Sequence, residues 1–280
     1  MDEVITAEAR RHGEDACCNR VVDSMPEYQS IKVTFESAAA KLALASPPQN
    51  VITIAMMEEL ANALAEIEAR REVAAIVLAG DGANFSSGVD VAAHTPERVR
   101  EMLTKFHAVI RALLNSGKVT IAEVRGNCLG GGAELAMVCD MVYTARDARW
   151  GFPEIKLGCF PPVAAVGLAA LVGQKRAAEL VLTGRQISGA EALAIGLANA
   201  AVNEQELEAA VSDVLERLSR LSPASLAATK KAFYCWDAMH FDKGLTCAEQ
   251  VYLDELMKTE DAREGIKAWM EKREPKWSGK

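Results

Sequence analysis

The chain has no run of five or more basic residues, no Cys-x-x-Cys pair and no apolar stretch near the roughly 18 residues that cross a bilayer as a helix. Each absence excludes a class. With a net charge of −8 and a pI of about 5.2, the missing basic block argues against nucleic acid or an anionic membrane as partner. It leaves room for a local basic patch facing an anionic ligand. The seven cysteines, Cys17, Cys18, Cys128, Cys139, Cys159, Cys235 and Cys247, are odd in number and irregularly spaced. They read as free thiols in a reducing cytoplasm rather than as a zinc site, and no metal is expected. The N-terminal stretch MDEVITAEARRHGEDACC is polar and acidic, with no apolar core of a secretion signal. The expectation is a soluble cytoplasmic protein.

What is present is a large apolar fraction: 50% of 280 residues are hydrophobic, enough for one large domain or a domain with an appendage. Residues 1–26 lack periodicity and read as a flexible N-terminal extension, with Met25 a candidate native start. Ile31–Phe35 and Lys41–Leu44 read as strands, the second closed by Pro47-Pro48. Residues 55–70 carry Met56, Leu60, Leu64 and Ile67 on one helical face. Ala74–Ala79 is a continuous apolar run bounded by Gly80 and Gly82, as in a strand buried on both faces. Asn84–Asp90 reads as a loop, 97–115 as an amphipathic helix, and Val119–Val124 and Met141–Thr144 as further strands. This alternation predicts an α/β layered core over residues 27–222. After about residue 175 the pattern turns mostly helical. Ser188 marks a helix start and Gly196 a helix end. Residues 223–280 form a helical segment whose apolar positions pack either on their own domain or on a neighbouring subunit.

Two carboxylates stand out. One closes the stretch Gly126-Asn127-Cys128-Leu129-Gly130-Gly131-Gly132-Ala133-Glu134, and the other follows in Gly151-Phe152-Pro153-Glu154. Consecutive glycines let backbone N–H groups approach a ligand with no Cβ in the way. The apolar Leu135-Ala136-Met137-Val138 after them predicts a helix whose free N–H groups face a developing oxyanion. Two nearby glutamates suit proton transfer. Taken singly, Glu134 also fits a first helical turn, where a carboxylate is favoured, and Glu154 fits a surface position after Pro153. Asp140 reads as structural. His107, beside core-facing Phe106 and Val109, reads as a structural rather than a catalytic histidine.

Several spaced motifs, in order, resemble the crotonase (enoyl-CoA hydratase/isomerase) superfamily. They are Phe85-Ser86-Ser87-Gly88-Val89-Asp90, then Val124 to Ala136 around the glycine triplet, then Asp140, then Gly151-Phe152-Pro153-Glu154-Ile155-Lys156-Leu157-Gly158. Leu182-Thr183-Gly184-Arg185 and the ending around Ala268-Trp269 add to them. The resemblance spans about residue 28 to the end. It implies an α/β crotonase-like fold, a spiral of ββα units with a C-terminal helical segment for trimerisation, assembled as homotrimers that pair into hexamers. It also implies that the backbone N–H groups of Val89 and Gly131 bind the thioester oxygen. Glu134 and Glu154 would then handle water and protons, Glu154 as donor to carbon. Ser87, Gly88, Asp90, Gly130, Phe160 and Pro162 are the implied substrate-binding residues. No cofactor is implied, since coenzyme A belongs to the substrate.

Further stretches, His94-x-Pro96, Met102-Leu103, His107, Gly158-Cys159-Phe160-x-Pro162 and Tyr252 to Met257, resemble the branch that hydrates cyclohexa-1,5-diene-1-carbonyl-CoA. Two departures from simple family members matter. Phe160-Pro161-Pro162-Val163-Ala164-Ala165 replaces a glycine-rich loop by the acyl pocket and is expected to form a stiff loop wall. Val91-Ala92-Ala93-His94 lacks the lysine often found there for the CoA phosphates. A general short-chain enoyl-CoA hydratase, an isomerase or a thioester hydrolase are the alternatives on the same scaffold. A non-enzymatic binding protein, RNA-binding relatives included, is disfavoured by the acidic balance and the two intact carboxylates.

Overall fold

A computed structural model describes residues 26–279, the side chains of residues 235–239 excepted. The expected N-terminal extension, with Cys17 and Cys18, lies outside the described residues, apart from Pro26. So does the side chain of Cys235.

The chain opens with a hairpin of β1 (Ile31–Glu36) and β2 (Ala39–Leu44), paired antiparallel with Ile31 opposite Leu44. Helix α1 (Ile54–Ala69) follows. Thr53 caps it by accepting from the Met56 N–H at 3.2 Å, and it buries Met56, Leu60, Leu64 and Ile67. Strand β3 (Ala75–Gly80) leads through a loop to α2 (Val99–Asn115). Then come β4 (Val119–Val124), β5 (Asn127–Leu129) and α3 (Gly131–Met137). The next turn is β6 (Met141–Ala145), β7 (Arg149–Gly151) and α4 (Pro162–Val172). After α5 (Gln174–Thr183) come β8 (Gln186–Ser188), α6 (Gly189–Ala194), β9 (Ala200–Val202) and α7 (Leu207–Ser219). The C-terminal part is α8 (Pro223–Gln250), a π-helical turn Val251–Glu255, and α9 (Glu260–Met270).

One sheet has the order β1-β2-β3-β4-β6-β9 and runs parallel from β2 onward; a smaller one has the order β5-β7-β8. Each turn of the chain gives one strand to the large sheet, a short strand to the small sheet, and then a helix. β4-β5-α3 and β6-β7-α4 are two such turns. In the turn before them the short strand is reduced to a parallel bridge from Ser86 to Cys128. This is the expected spiral of ββα units.

The continuous apolar run in β3 has a direct cause. Ile76 and Leu78 face the main core with α1 and α2, whereas Ala75 and Val77 face a second core closed by Val211 and Leu218 of α7. Both sides of the strand are dry, so alternation disappears. Ser188 caps α6 by accepting from the Glu191 N–H at 3.1 Å, and Gly196 follows the helix end at φ +85°. The region after residue 175 is mostly helical, as expected, and it adds two three-residue strands, β8 and β9, the pattern of β9 being masked by alanines. One expectation is corrected. Phe160–Ala165 is not a loop throughout: Pro162 is the first residue of α4, a position where its fixed φ and missing N–H suit a helix.

Candidate active site

The loop after β3 is pinned from below. Ser86 Oγ donates to the Asn50 carbonyl at 2.7 Å and accepts from the Gly88 N–H at 3.0 Å. Ile52 donates to the Gly88 carbonyl at 2.9 Å and accepts from the Asp90 N–H at 3.0 Å. Both bonds run toward Ile52, so the N–H of the intervening Val89 points the other way. The glycine triplet meets this loop. A Cβ on Gly131 would lie 2.6 Å from Val89 Cγ2 and 3.2 Å from Phe106 Cζ, so any side chain there would press on those two. As the first residue of α3, Gly131 has an N–H with no acceptor inside its helix. Two backbone donors therefore flank one cleft, whose lining includes Val89, Gly131, Glu134, Glu154, Phe160 and Pro162.

Gly130 positions the second carboxyl. It sits at φ +52°, where a side chain is strained, and an added Cβ would fall 2.7 Å from Glu154 Oε1. Its N–H donates to the Gly151 carbonyl at 2.9 Å, tying the triplet to β7 just ahead of Glu154. Glu154 itself lies in a 3₁₀ turn, Pro153–Leu157, ended by Gly158 in the left-handed region.

The two carboxyl groups live in different surroundings. Glu134 is 3% exposed, and its Oε1 accepts from the N–H groups of both Val163 and Ala164 at 2.9 Å, in the first turn of α4. Burial pushes it up to about 7 against the opposing pull of those two donors. Glu154 Oε2 is buried with no hydrogen-bond partner among the described residues. Burial first, and the Glu134 charge second, hold it well above the usual carboxylate range. The donors decide which group ionises. Glu134 has two N–H donors on one oxygen to stabilise a charge, whereas Glu154 Oε2 has none, so the charge of the pair is favoured on Glu134 and the proton on Glu154. The imbalance suits Glu134 to the role of base and Glu154 to that of acid.

Of the residues singled out from sequence, Ser87, Gly88, Val89, Gly130, Gly131, Glu134, Glu154, Phe160 and Pro162 all border this cleft. Asp90 does not. Its carboxylate instead accepts from the Ala92 N–H at 3.0 Å and caps the 3₁₀ turn Val91–His94. Asp140 accepts from the Thr120 N–H at 2.7 Å and pairs with Lys230 at 2.8 Å, a structural role. His107 is fully buried against Glu249 and does not line the cleft. Sequence reasoning missed the two α4 amides on Glu134, because no side-chain motif announces a backbone donor. It also missed Tyr252 as a cleft residue.

A family model described as enoyl-CoA hydratase/isomerase matches residues 34–280. The chain belongs to that family. It is a hydro-lyase of the enoyl-CoA hydratase type, and a CoA thioester is the substrate class consistent with it. Cyclohexa-1,5-dienecarbonyl-CoA hydratase of Thauera aromatica is 36% identical over 252 residues, covering 89% of this chain and 97% of the relative. A probable enoyl-CoA hydratase of Bacillus subtilis (strain 168) is 32% identical over 256 residues, covering 89% and 99%. The crystal structure of an enoyl-CoA hydratase from Mycobacterium avium subsp. paratuberculosis K-10 matches with a TM-score of 0.81 at 27% identity, covering 90% of this chain and all of that one.

Within the family's site this enoyl-CoA hydratase relative has its own character. Among the described residues no lysine or arginine lines the cleft. His94 does. It is bonded through Nδ1 to the Asp90 carbonyl oxygen at 3.1 Å, and burial lowers its pKa so that it stays neutral. No helix of the described residues is long and apolar enough to cross a membrane.

Proposed function

We propose that the protein adds water to cyclohexa-1,5-diene-1-carbonyl-CoA, giving 6-hydroxycyclohex-1-ene-1-carbonyl-CoA. The observation that carries the hydratase half of this reading is the pair Glu134 and Glu154, two carboxyls on one cleft, both held above the ordinary carboxylate range by burial, with backbone donors on only one of the two facing oxygens. The cyclic substrate is supported by the Thauera aromatica relative. The aromatic lining of the cleft supports it too: the Phe160 and Tyr252 rings meet there at 5.1 Å.

The chemistry follows from where charge goes. Glu134 takes a proton from water as its oxygen bonds ring carbon 2. Electrons move onto the thioester oxygen, held by the N–H groups of Val89 and Gly131. Losing one such donor costs about 3 kcal/mol of transition-state stabilisation in comparable sites. The resulting dienolate carries electron density to carbon 5, where Glu154 delivers its proton, and the remaining double bond comes to lie between carbons 1 and 6. An acyclic enoyl ester would instead take that proton on the carbon beside the thioester. The α4 N-terminus, begun by Pro162 with its fixed φ, holds one wall and Glu134 together, so the cleft loses little entropy on binding.

The test compares kcat/KM for the cyclic dienoyl-CoA and for crotonyl-CoA. A clear preference for crotonyl-CoA sinks the cyclic assignment and leaves hydration standing. Glu134→Gln and Glu154→Gln should each lower kcat about 10²- to 10⁴-fold while CoA-ester affinity is kept. Near wild-type turnover in either variant refutes that residue's role.

A further inference from the structure

Tyr252 comes from the π-helical turn after α8 and lines the same cleft as Glu134 and Glu154. The residue is 1% exposed. Its ring packs on Phe160, but its hydroxyl is buried with no hydrogen-bond partner among the described residues. A buried phenol oxygen normally finds a partner, because an unmet one is unfavourable. Packing explains the ring and not the oxygen, since phenylalanine would fill the same space against Phe160. The neighbouring protein group is Cys159, a weak partner whose thiol already leans on the Leu157 carbonyl oxygen at 3.6 Å. The other unpartnered buried oxygen of the cleft is Glu154 Oε2. Three groups therefore line one cleft: the Glu134 and Glu154 carboxyls and a phenol whose one protein partner is the weakly bonding Cys159 thiol.

We propose that the Tyr252 hydroxyl is a third polar contact of the reaction centre, donating a hydrogen bond to the oxygen of the adding water, which becomes the hydroxyl oxygen of the product. The inference rests on the hydratase reading above. Atoms balance without the phenol changing state. One water O–H bond breaks toward Glu134, the C–O bond forms, the Glu154 O–H bond breaks toward carbon, and Tyr252 keeps its proton throughout. Burial and the nearby Cys159 and carboxylates hold the phenol well above its usual range, so it stays a donor. As Glu134 withdraws its proton, the water oxygen gains hydroxide character, and a donor aimed at it favours the transition state in both directions of the reaction.

The test reads hydroxyl recognition apart from turnover. Two ester pairs differ by that hydroxyl alone: 6-hydroxycyclohex-1-ene-1-carbonyl-CoA with cyclohex-1-ene-1-carbonyl-CoA, and 3-hydroxybutyryl-CoA with butyryl-CoA. In the pair the wild type binds more tightly, Tyr252→Phe should weaken the hydroxylated ester about five- to tenfold and leave the other within about twofold. kcat for hydration should fall about tenfold with KM little changed. Equal weakening of both esters, or no weakening of either, overturns the proposal. Should Tyr252→Phe fold poorly, 3-fluorotyrosine placed at position 252 gives a ¹⁹F signal. It should move with the hydroxylated ester and not with its partner, and an identical response to both overturns the proposal. Wild-type protein that recognises the hydroxyl but hydrates neither dienoyl- nor crotonyl-CoA sinks the hydratase reading while the Tyr252 contact stands.

Discussion

Glu134 should make the folded protein less stable as pH rises through neutrality, and Glu134→Gln should remove that dependence. Its carboxyl titrates at about 7 in the fold against an ordinary 4.5, because burial penalises the charge more than the Val163 and Ala164 N–H groups favour it. The sign follows from proton counting. Between pH 4.5 and about 7 the folded chain binds the proton and the unfolded chain has released it. Stability therefore falls as pH rises across that window and levels off above it. About two and a half pH units at ~1.4 kcal/mol each give an effect on the order of 3 kcal/mol, most of it between pH 5 and 8. Glutamine keeps an oxygen for both α4 amides and brings no charge. Any penalty for its unmatched NH₂ group is the same at every pH. Removing the Glu134 charge also lets Glu154 titrate closer to its ordinary range, which acts in the same direction. The assay is urea unfolding of both proteins at pH 5 and pH 8, compared at constant m. The variant should gain on the wild type by about 2 kcal/mol or more between the two pH values. A stability difference that is the same at both would refute the burial argument.

The pH dependence of kcat/KM should be bell-shaped, with an acid limb near 7 as Glu134 gains its proton and an alkaline limb as Glu154 loses its own; an acid limb below pH 5 would contradict the assignment of Glu134 as the base. Gly130→Ala should lower hydration at least about 100-fold, because its Cβ would press within 2.7 Å of Glu154 Oε1 from a backbone at φ +52°. Steady-state kinetics with intact CoA-ester binding checks this, and near-normal kcat would show that Glu154 is not held by that contact.

Much of the fold was legible because its signals are local. Thr53 and the Met56, Leu60, Leu64 and Ile67 stripe mark α1 over a few turns, and the β3 run betrays burial on both faces without knowledge of its partners. The glycine triplet was legible for the same reason: a Cβ on Gly130 or Gly131 would press on the Glu154 or Val89 side chain. β9 was not, since Ala200–Val202 carries almost no pattern and is a strand only because β6 offers a free edge. The start of α4 was hidden by Phe160-Pro161-Pro162, which reads as a breaker. A proline suits the first helical turn as well as it suits a loop, and the choice is made by tertiary contact.

The chemistry of the site was legible in its residues and not in their division of labour. From sequence, the resemblance and the apolar neighbours Phe152, Phe160 and Pro161 single out Glu154 as the proton donor, but nothing there shows what would hold the charge on Glu134. The distinction arises from atoms brought in along the chain. Two α4 amides, 29 and 30 residues beyond Glu134, satisfy one of its oxygens, while Glu154 Oε2 is given none. Among buried groups that imbalance decides, because the two side chains are otherwise the same. The same reasoning extends to the C-terminal segment. Its long helix α8 is followed by a π-helical turn that buries Tyr252 against Phe160, beside the two carboxyls. A π turn adds a residue to the helical repeat and so re-aims the side chains on its face. The tail thus closes the wall of the cleft that the glycine loops, α3 and α4 leave open, and it brings there an oxygen that packing does not require.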